Sequence, residues 1–188
     1  KAGAQTSTTV TSSITLTAVN DKPVVTAGAN LTYTENGSAA IIDNTISITD
    51  PDDTQIASAI VSISAGFLTG DILGFTTQNG ISGNYDASTG TLTLTGTATL
   101  AQYQTALRSV TYRSTSDDPT DNDTTANRSR TISWTVTDAN SDNAGAQSST
   151  AVTSSIAVTA VNDKPVVTAG ANLAYTENGS AAVIDNTI

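Results

Sequence analysis

Residues 2–46 of this 188-residue chain recur as residues 144–188, with only small exchanges such as Leu16 to Val158 and Thr32 to Ala174. The two copies are offset by 142 residues. A fixed period of this kind is the signature of a tandem array, in which each period is one structural unit. The chain therefore contains one whole unit and parts of its two neighbours, and the fold to be explained is that of a single repeat.

A short segment of Asn, Asp and Pro marks each boundary between units. It covers residues 19–23 and returns at 162–165. Proline fixes its own φ and pushes the preceding residue toward extended backbone, so both segments are predicted to be stiff linkers. On this division, residues 1–18 are the last strand of a preceding repeat, 24–161 a complete repeat, and 166–188 the first strands of a following repeat.

Composition excludes several classes of function. The chain has no cysteine and no histidine, which removes disulfides, thiol chemistry and imidazole metal sites. Seventeen acids against seven bases give a net charge of −10, which disfavours nucleic acid and anionic membranes and favours cations. No apolar run approaches the roughly 20 residues that span a bilayer, so no direct membrane insertion is expected. Without a nucleophile motif or a predicted cleft, we expect no enzyme activity.

Alternating apolar residues predict strands along most of the unit. Examples are Leu92 and Leu94 within residues 91–95, and Ile132, Trp134 and Val136 within the segment from 130 to 137. Residues 99–107 are the only stretch with a helical pattern, which Thr99 can cap. About seven strands separated by turns predict an all-β fold, an antiparallel seven-stranded Greek-key β-sandwich of immunoglobulin-like type.

Strand counting places most of the acids at the two ends of such a sandwich. The residues at one end are Asn20, Asp21, Asp50, Asp52, Asp53 and Asp138, and Asn140 and Asp142 follow Asp138 in the sequence. The residues at the other end are Glu35, Asp117, Asp118, Asn162 and Asp163. Carboxylates a few Å apart repel one another unless a cation lies between them. Calcium takes six to eight oxygen ligands in loose geometry, whereas magnesium demands stricter geometry. The sequence therefore predicts Ca²⁺ at both ends, with Mg²⁺ as the second choice.

Four motifs occur in an order that resembles cadherins: Val19-Asn20-Asp21-Lys22-Pro23, Tyr33-Thr34-Glu35-Asn36, Thr49-Asp50-Pro51-Asp52 and Val136-Thr137-Asp138. The whole 142-residue unit is similar to the cadherin-like tandem repeats of large bacterial RTX-type surface adhesins. One motif departs from this pattern: the Asp-Arg-Glu of cadherins has no counterpart in Gly96–Leu107, which contains no acid. We hypothesise that Asp117 and Asp118 supply that missing charge.

The resemblance implies two metal sites. The first would use Asn20, Asp21, Asp50, Asp52 and Asp138, and the second Glu35, Asn162 and Asp163, while Asp53, Asp117, Asp118, Asn140 and Asp142 are further candidates. It also implies an extracellular, calcium-rigidified extender on the bacterial cell surface, which projects a ligand-binding region for adhesion or biofilm formation. Its partners would be adjacent identical repeats, head to tail, with neighbouring copies completing the terminal strands. The alternative is a repeat that itself binds a carbohydrate or a protein ligand.

Overall fold

The computed structural model describes residues 1–141 and 143–186. Within these ranges the chain forms eleven strands, one α-helix and one short 3₁₀ helix. The elements are β1 (Val24–Thr26), β2 (Asn30–Thr34), β3 (Ala40–Ile41), β4 (Ser47–Thr49), β5 (Gln55–Ala65), β6 (Asp71–Gly74), β7 (Ser82–Asp86), β8 (Thr91–Thr99), α1 (Leu100–Arg108), β9 (Thr111–Ser114), the 3₁₀ helix (Thr125–Asn127), β10 (Ser129–Asp138) and β11 (Val152–Thr159). No helix of the described ranges is long and apolar enough to cross a membrane.

The strands form one large sheet and two small ones. The large sheet has the order β2-β11-β10-β5-β8-β7, and the small sheets are β3-β9-β6 and β1-β4. A mostly β fold is therefore confirmed. The predicted sandwich was purely antiparallel, whereas β2 and β11 pair in parallel. Parallel neighbours need a long connection, and these two strands meet this requirement because they lie at opposite ends of the repeat.

The core follows the predicted alternation along β10. Ile132, Trp134 and Val136 are fully buried, while the residues between them lie on the outer face. The indole Nε1 of Trp134 donates a hydrogen bond to Ser154 Oγ at 3.0 Å, so the polar edge of this buried ring has a partner. The period-2 pattern thus identifies the inner face of the central strand correctly.

Helix α1 confirms the predicted cap at Thr99. The Thr99 hydroxyl accepts a hydrogen bond from Gln102 N at 3.2 Å, and Gln102 Oε1 accepts one from Thr99 N at 3.0 Å, which completes a capping box. Tyr103 and Leu107 are buried on the inner side of the helix. The Tyr103 hydroxyl donates to Gly96 O at 2.8 Å and so ties the helix to the end of β8.

Replacing Thr99 with alanine is expected to lower the free energy of unfolding by about 1 kcal/mol, because the backbone N–H of Gln102 loses its acceptor, the Thr99 hydroxyl. Thr99→Ser keeps the hydroxyl and should stay close to the wild type. Urea unfolding of both variants measures the difference. Equal losses in the two variants would show that the cap does not stabilise the helix.

The N-terminal segment departs from the sequence prediction. Residues 5–18 form no strand, and Val10, Ile14 and Leu16 are 86 to 90% exposed. The equivalent segment of the complete repeat does form β11, where it pairs with β10 on one side and β2 on the other. A strand needs hydrogen-bonded neighbours, and none lies beside residues 5–18 in the described chain.

The C-terminal segment, residues 166–186, also forms no strand but reproduces local contacts of the complete repeat. Asp185 Oδ2 accepts hydrogen bonds from the backbone N–H groups of Gly170 and Ala171, each at 3.0 Å. Asp43 holds the equivalent glycine and alanine in the complete repeat in the same way. The turn at the start of the unit is therefore encoded locally, whereas its strands form only when they pair with the other strands of the repeat.

Candidate metal centre

Three carboxylates converge at one end of the large sheet, which we call the entry pole. Asp50 and Asp53 lie in the loop between β4 and β5, and Asp138 is the last residue of β10. Strands β5 and β10 are antiparallel, and Ile56 is opposite Asp138, so the start of one strand meets the end of the other. One carboxylate oxygen from each of the three aspartates lies within 4.8 Å of the others.

Three oxygen atoms at the entry pole are buried without a hydrogen-bond partner. They are Asn20 Oδ1, Asp50 Oδ2 and Asp53 Oδ2. Asn20 is 3% exposed, Asp53 2% and Asp138 0%. Burying polar oxygens without partners is costly. Two carboxylates at this separation repel by about 3 kcal/mol at an effective dielectric constant near 20. A cation bound among these oxygens would remove both penalties.

The linker contributes Asn20 to this cluster in a fixed orientation. Its amide Nδ2 donates to Asp138 Oδ2 at 2.9 Å and to Gly145 O at 2.6 Å, which leaves Oδ1 as the free atom. Asp138 is held further by the backbone N–H groups of Asn140, at 3.1 Å, and Gln147, at 2.9 Å. The Gln147 side chain also donates to Asn20 O. The loop after β10 thus binds the linker to the end of the strand.

Asn140 is half-buried and holds this loop through its side chain, since its Oδ1 accepts a hydrogen bond from Gly145 N at 2.6 Å. The side-chain amide oxygen of Asn140 therefore already accepts a hydrogen bond within the protein. Asp142, another candidate from the sequence, lies outside the described residues.

The structure places Asp53 in the buried cluster with Asp50 and leaves Asp52 outside it. The sequence favoured Asp52 beside Asp50, but Asp53 is the buried member of the cluster, and Asp52 is exposed. Asp50 Oδ1 accepts hydrogen bonds from the backbone N–H groups of Asp52, at 3.2 Å, and Asp53, at 3.0 Å. This turn folds the chain back, so that Asp53 faces inward, where its Oδ1 accepts from Ser141 N at 2.8 Å.

Asp52 and Asp21 meet at the rim of the cluster. Asp21 N donates to Asp52 Oδ2 at 2.8 Å, and this hydrogen bond lowers the pKa of Asp52. Burial raises the pKa of Asp50, and the neighbouring Asp52 raises it further. Among the described residues, no cationic side chain forms an ion pair with Asp50, and its Oδ2 has no hydrogen-bond partner, as expected of a cation ligand.

The remaining predicted acids lie together at the opposite end of the sheet, the exit pole. A cleft of about 700 Å³ is lined there by the linker and by the loop before β10, including Glu35, Asp117, Asp118, Asn162 and Asp163. Glu35 is 4% exposed. Since β10 spans Ser129–Asp138, its ends are roughly 30 Å apart at a rise of about 3.3 Å per residue. The two groups of acids are therefore separate.

The donor atoms at both poles are oxygens of carboxylates and amides. Such ligands suit hard cations such as Ca²⁺ and Mg²⁺. The entry pole offers Asn20 Oδ1 and oxygens of Asp50, Asp53 and Asp138, with further positions left for water or carbonyl groups. This number of protein ligands and the irregular loop geometry favour Ca²⁺ over Mg²⁺.

Comparison with known proteins gives one informative likeness. The chain is 34% identical over 113 residues to halomucin of Haloquadratum walsbyi, a match that covers 57% of this chain and 1% of that protein. The chain thus spans only a very small part of the curated relative it matches. No protein-family model and no solved structure matches the chain.

Proposed function

We propose that the chain is a calcium-rigidified extender repeat of a very large cell-surface adhesin, whose role is to hold a binding region away from the surface. The observation that carries this proposal is the buried cluster of Asp50, Asp53 and Asp138, joined by the unpartnered amide oxygen of Asn20. Three of these residues belong to the body of the repeat, and the fourth belongs to the linker. A cation bound among them would fasten the linker to the body.

The mechanical effect follows from the position of Asn20. In the absence of a cation, the linker is held by hydrogen bonds such as that from Asn20 Nδ2 to Asp138, while the aspartates repel one another. Ca²⁺ would replace this repulsion with attraction and would restrict the direction in which the linker enters the repeat. Extracellular modules bind Ca²⁺ with dissociation constants of about 0.1–1 mM. A tenfold excess over that value stabilises each site by roughly 1.4 kcal/mol.

Two further observations support a structural role. The repeated segments are nearly identical within the chain, as expected when length is obtained by reusing one part. The likeness to halomucin covers 1% of that protein, which fits a small repeated portion of a very large molecule. The proposal places the chain outside the cell, where millimolar Ca²⁺ is available, and gives it no catalytic activity.

Replacing Asp138 with asparagine is expected to weaken Ca²⁺ binding at the entry pole by about 10- to 100-fold, because a fully buried charged ligand is lost while the side-chain shape is kept. Asp86→Asn is the matched control, since Asp86 is the exposed last residue of β7 and carries the same charge. Calorimetric titration with CaCl₂ of each 188-residue variant, first freed of calcium with a chelator, compares their Ca²⁺ affinities. Equal affinity in the two variants would exclude Asp138 as a ligand.

A second measurement tests whether Ca²⁺ stiffens an array of repeats. Small-angle scattering of a chain with several tandem repeats should show a larger maximum dimension with Ca²⁺ than with a chelator. The Asp138→Asn change in every repeat should abolish that difference. A maximum dimension that does not respond to Ca²⁺ would refute the extender role, and clear hits on a glycan array would instead favour a repeat that binds carbohydrate.

A further inference from the structure

We propose that the repeat contains a mechanical clamp, formed by the parallel pair of strands β2 and β11, which keeps the repeat folded when a chain of repeats is pulled along its length. The clamp gives the extender proposed above a second property, resistance to tension, and it needs no cation. That tension acts on the repeat rests on the proposed function, whereas the clamp itself rests on the arrangement of the strands.

The first step is the path that tension takes through the repeat. Tension enters through the linker at 19–23, which the Asn20 side chain ties to Asp138 at the entry pole. It leaves through the end of β11 at the exit pole, where Glu35 N donates to Thr159 O at 2.9 Å. Because these two points lie at opposite ends of the large sheet, the pull runs along its strands.

The second step is the direction in which β2 and β11 are loaded. The two strands are parallel, and their register runs from Asn30 opposite Ser155 to Thr34 opposite Thr159. The incoming linker pulls the start of β2 toward the entry pole, through β1, while the outgoing linker pulls the end of β11 toward the exit pole. The strands are therefore pulled past each other, and the hydrogen bonds that run between them share the load. Two strands pulled apart from a common end would instead lose these bonds one at a time.

The third step is the position of β2 at the edge of the large sheet. In the described part of the chain, β11 is the only strand beside β2 in this sheet. On its other side, β11 forms six residue pairs with β10, and its inward side chains Ile156 and Val158 are 0% and 4% exposed. Since β11 is held by the body on that side, the contact between β2 and β11 is the one that must break before the repeat unfolds.

The fourth step is that side chains reinforce the pair where tension enters β2. Asp43 Oδ2 accepts a hydrogen bond from Ala29 N, in the turn before β2, at 3.0 Å. The same oxygen accepts one from Ser154 Oγ of β11 at 2.7 Å. One buried carboxylate thus joins the start of β2 to β11. On the outer face, the Ser155 hydroxyl donates to Asn30 Oδ1 across the same pair of strands.

The test pulls single 188-residue chains in two directions, with a chelator present. The chain has no cysteine, so a pair of introduced cysteines at exposed positions defines where the force is applied. Lys1→Cys with Ala160→Cys loads the repeat lengthwise, from the linker to the end of β11. Ser38→Cys with Ala160→Cys shares one anchor but pulls β2 and β11 apart from their common end. At equal force, lengthwise unfolding should be at least about tenfold slower, because several hydrogen bonds must break together and forced unfolding follows the unfolding rate.

A second comparison locates the resistance in the contact between β2 and β11. Ser155→Ala removes the hydroxyl that donates to Asn30, so it should speed lengthwise unfolding at equal force by about two- to tenfold. Thr153→Ala is the matched control, because Thr153 is paired with Ser133 of β10 and lies outside the register of β11 with β2. This control should leave the lengthwise unfolding rate unchanged.

The outcomes separate the clamp from the proposed function. Equal unfolding rates in the two directions, or equal lengthwise rates in the Ser155 and Thr153 variants, would overturn the clamp and leave the calcium site standing. Lengthwise resistance that appears only when Ca²⁺ replaces the chelator would also overturn it, because the entry-pole cluster would then carry the load. Slow lengthwise unfolding in chelator, combined with scattering that does not respond to Ca²⁺, would support the clamp and refute the calcium-rigidified extender.

Discussion

Replacing Arg130 with alanine is expected to lower the free energy of unfolding by about 3–5 kcal/mol, because it leaves Asp71 as a buried charge without its partner. Both side chains of this pair are fully buried, and Arg130 Nε lies 2.6 Å from Asp71 Oδ2. Asp71 Oδ1 also accepts the hydroxyl of Tyr112 at 2.6 Å, so the loss would extend into the core. The same change frees the segment between β9 and β10, since Pro119 O and Asn127 O lose their donor.

Urea unfolding followed by the fluorescence of Trp134 measures this effect. Trp134 is the single tryptophan of the chain and is fully buried. Arg113→Ala is the control: it removes the same side chain from an exposed position on β9 and should change the unfolding free energy by less than about 0.5 kcal/mol. A loss below about 1 kcal/mol in the Arg130 variant would show that the ion pair does not hold the two sheets and the loop together.

Arg130 also shows where reading the sequence fails. The alternation around Trp134 identified the buried face of β10 correctly, and Arg130 lies on that same face. A charged residue at the start of a strand is ordinarily exposed, and its partner Asp71 is 59 residues away in a region rich in glycine. The pair forms only because β6 and β10 come together in three dimensions. Pattern reasoning has no access to that proximity.

The grouping of the acids at the poles was predictable because successive antiparallel strands reverse direction. Counting strands placed Asp50 and Asp138 together, and the structure brings them into one cluster. The choice between Asp52 and Asp53 was not predictable. It depends on the turn made by the hydrogen bonds of Asp50 Oδ1, and a shift of one residue in a loop reverses which side chain points inward.

Glu35 illustrates a second limit of the sequence. Glu35 was predicted as a metal ligand, and it lies at the turn after β2, where Asn36 has a left-handed φ of 62°. Glu35 is buried because β2 pairs with β11 and places Glu35 against Val161, which directly precedes the linker at 162–165. The pairing of the first and last strands of the repeat is a tertiary event, and no local signal around Glu35 specifies it.

Asp43 is a buried carboxylate whose negative charge is satisfied by hydrogen bonds. Its Oδ2 accepts from Gly28 N at 2.9 Å, Ala29 N at 3.0 Å and Ser154 Oγ at 2.7 Å, and its Oδ1 accepts from Thr45 N at 2.8 Å and from the Thr45 hydroxyl at 2.6 Å. Burial works against the charged form. The hydrogen bonds, with that from the Thr45 side chain the strongest, outweigh burial and hold the pKa of Asp43 well below its usual range.

Replacing Asp43 with asparagine is expected to lower the free energy of unfolding at pH 7 by about 3 kcal/mol. Whichever way the amide is turned, its NH₂ group meets donors, and the lost hydrogen bonds to a charged acceptor are worth about 1.5–3 kcal/mol each. Asp185→Asn is the matched control. It breaks the same contacts with Gly170 and Ala171 in the copy that lies outside the complete repeat, so it should leave the cooperative unfolding transition unchanged.

The cost of the Asp43→Asn change should also depend on pH, with a sign fixed by the lowered pKa. The folded state holds the Asp43 proton more weakly than the unfolded chain, whose aspartates titrate near pH 3.9. The stabilising contribution is therefore complete above about pH 4 and is lost as the pH falls toward the folded pKa. Urea unfolding between pH 7 and pH 2.5, with a chelator present, should show the gap between the wild type and the variant closing at the acid end. A gap that stays constant over this range would mean that Asp43 stabilises the repeat through its shape and not through its charge.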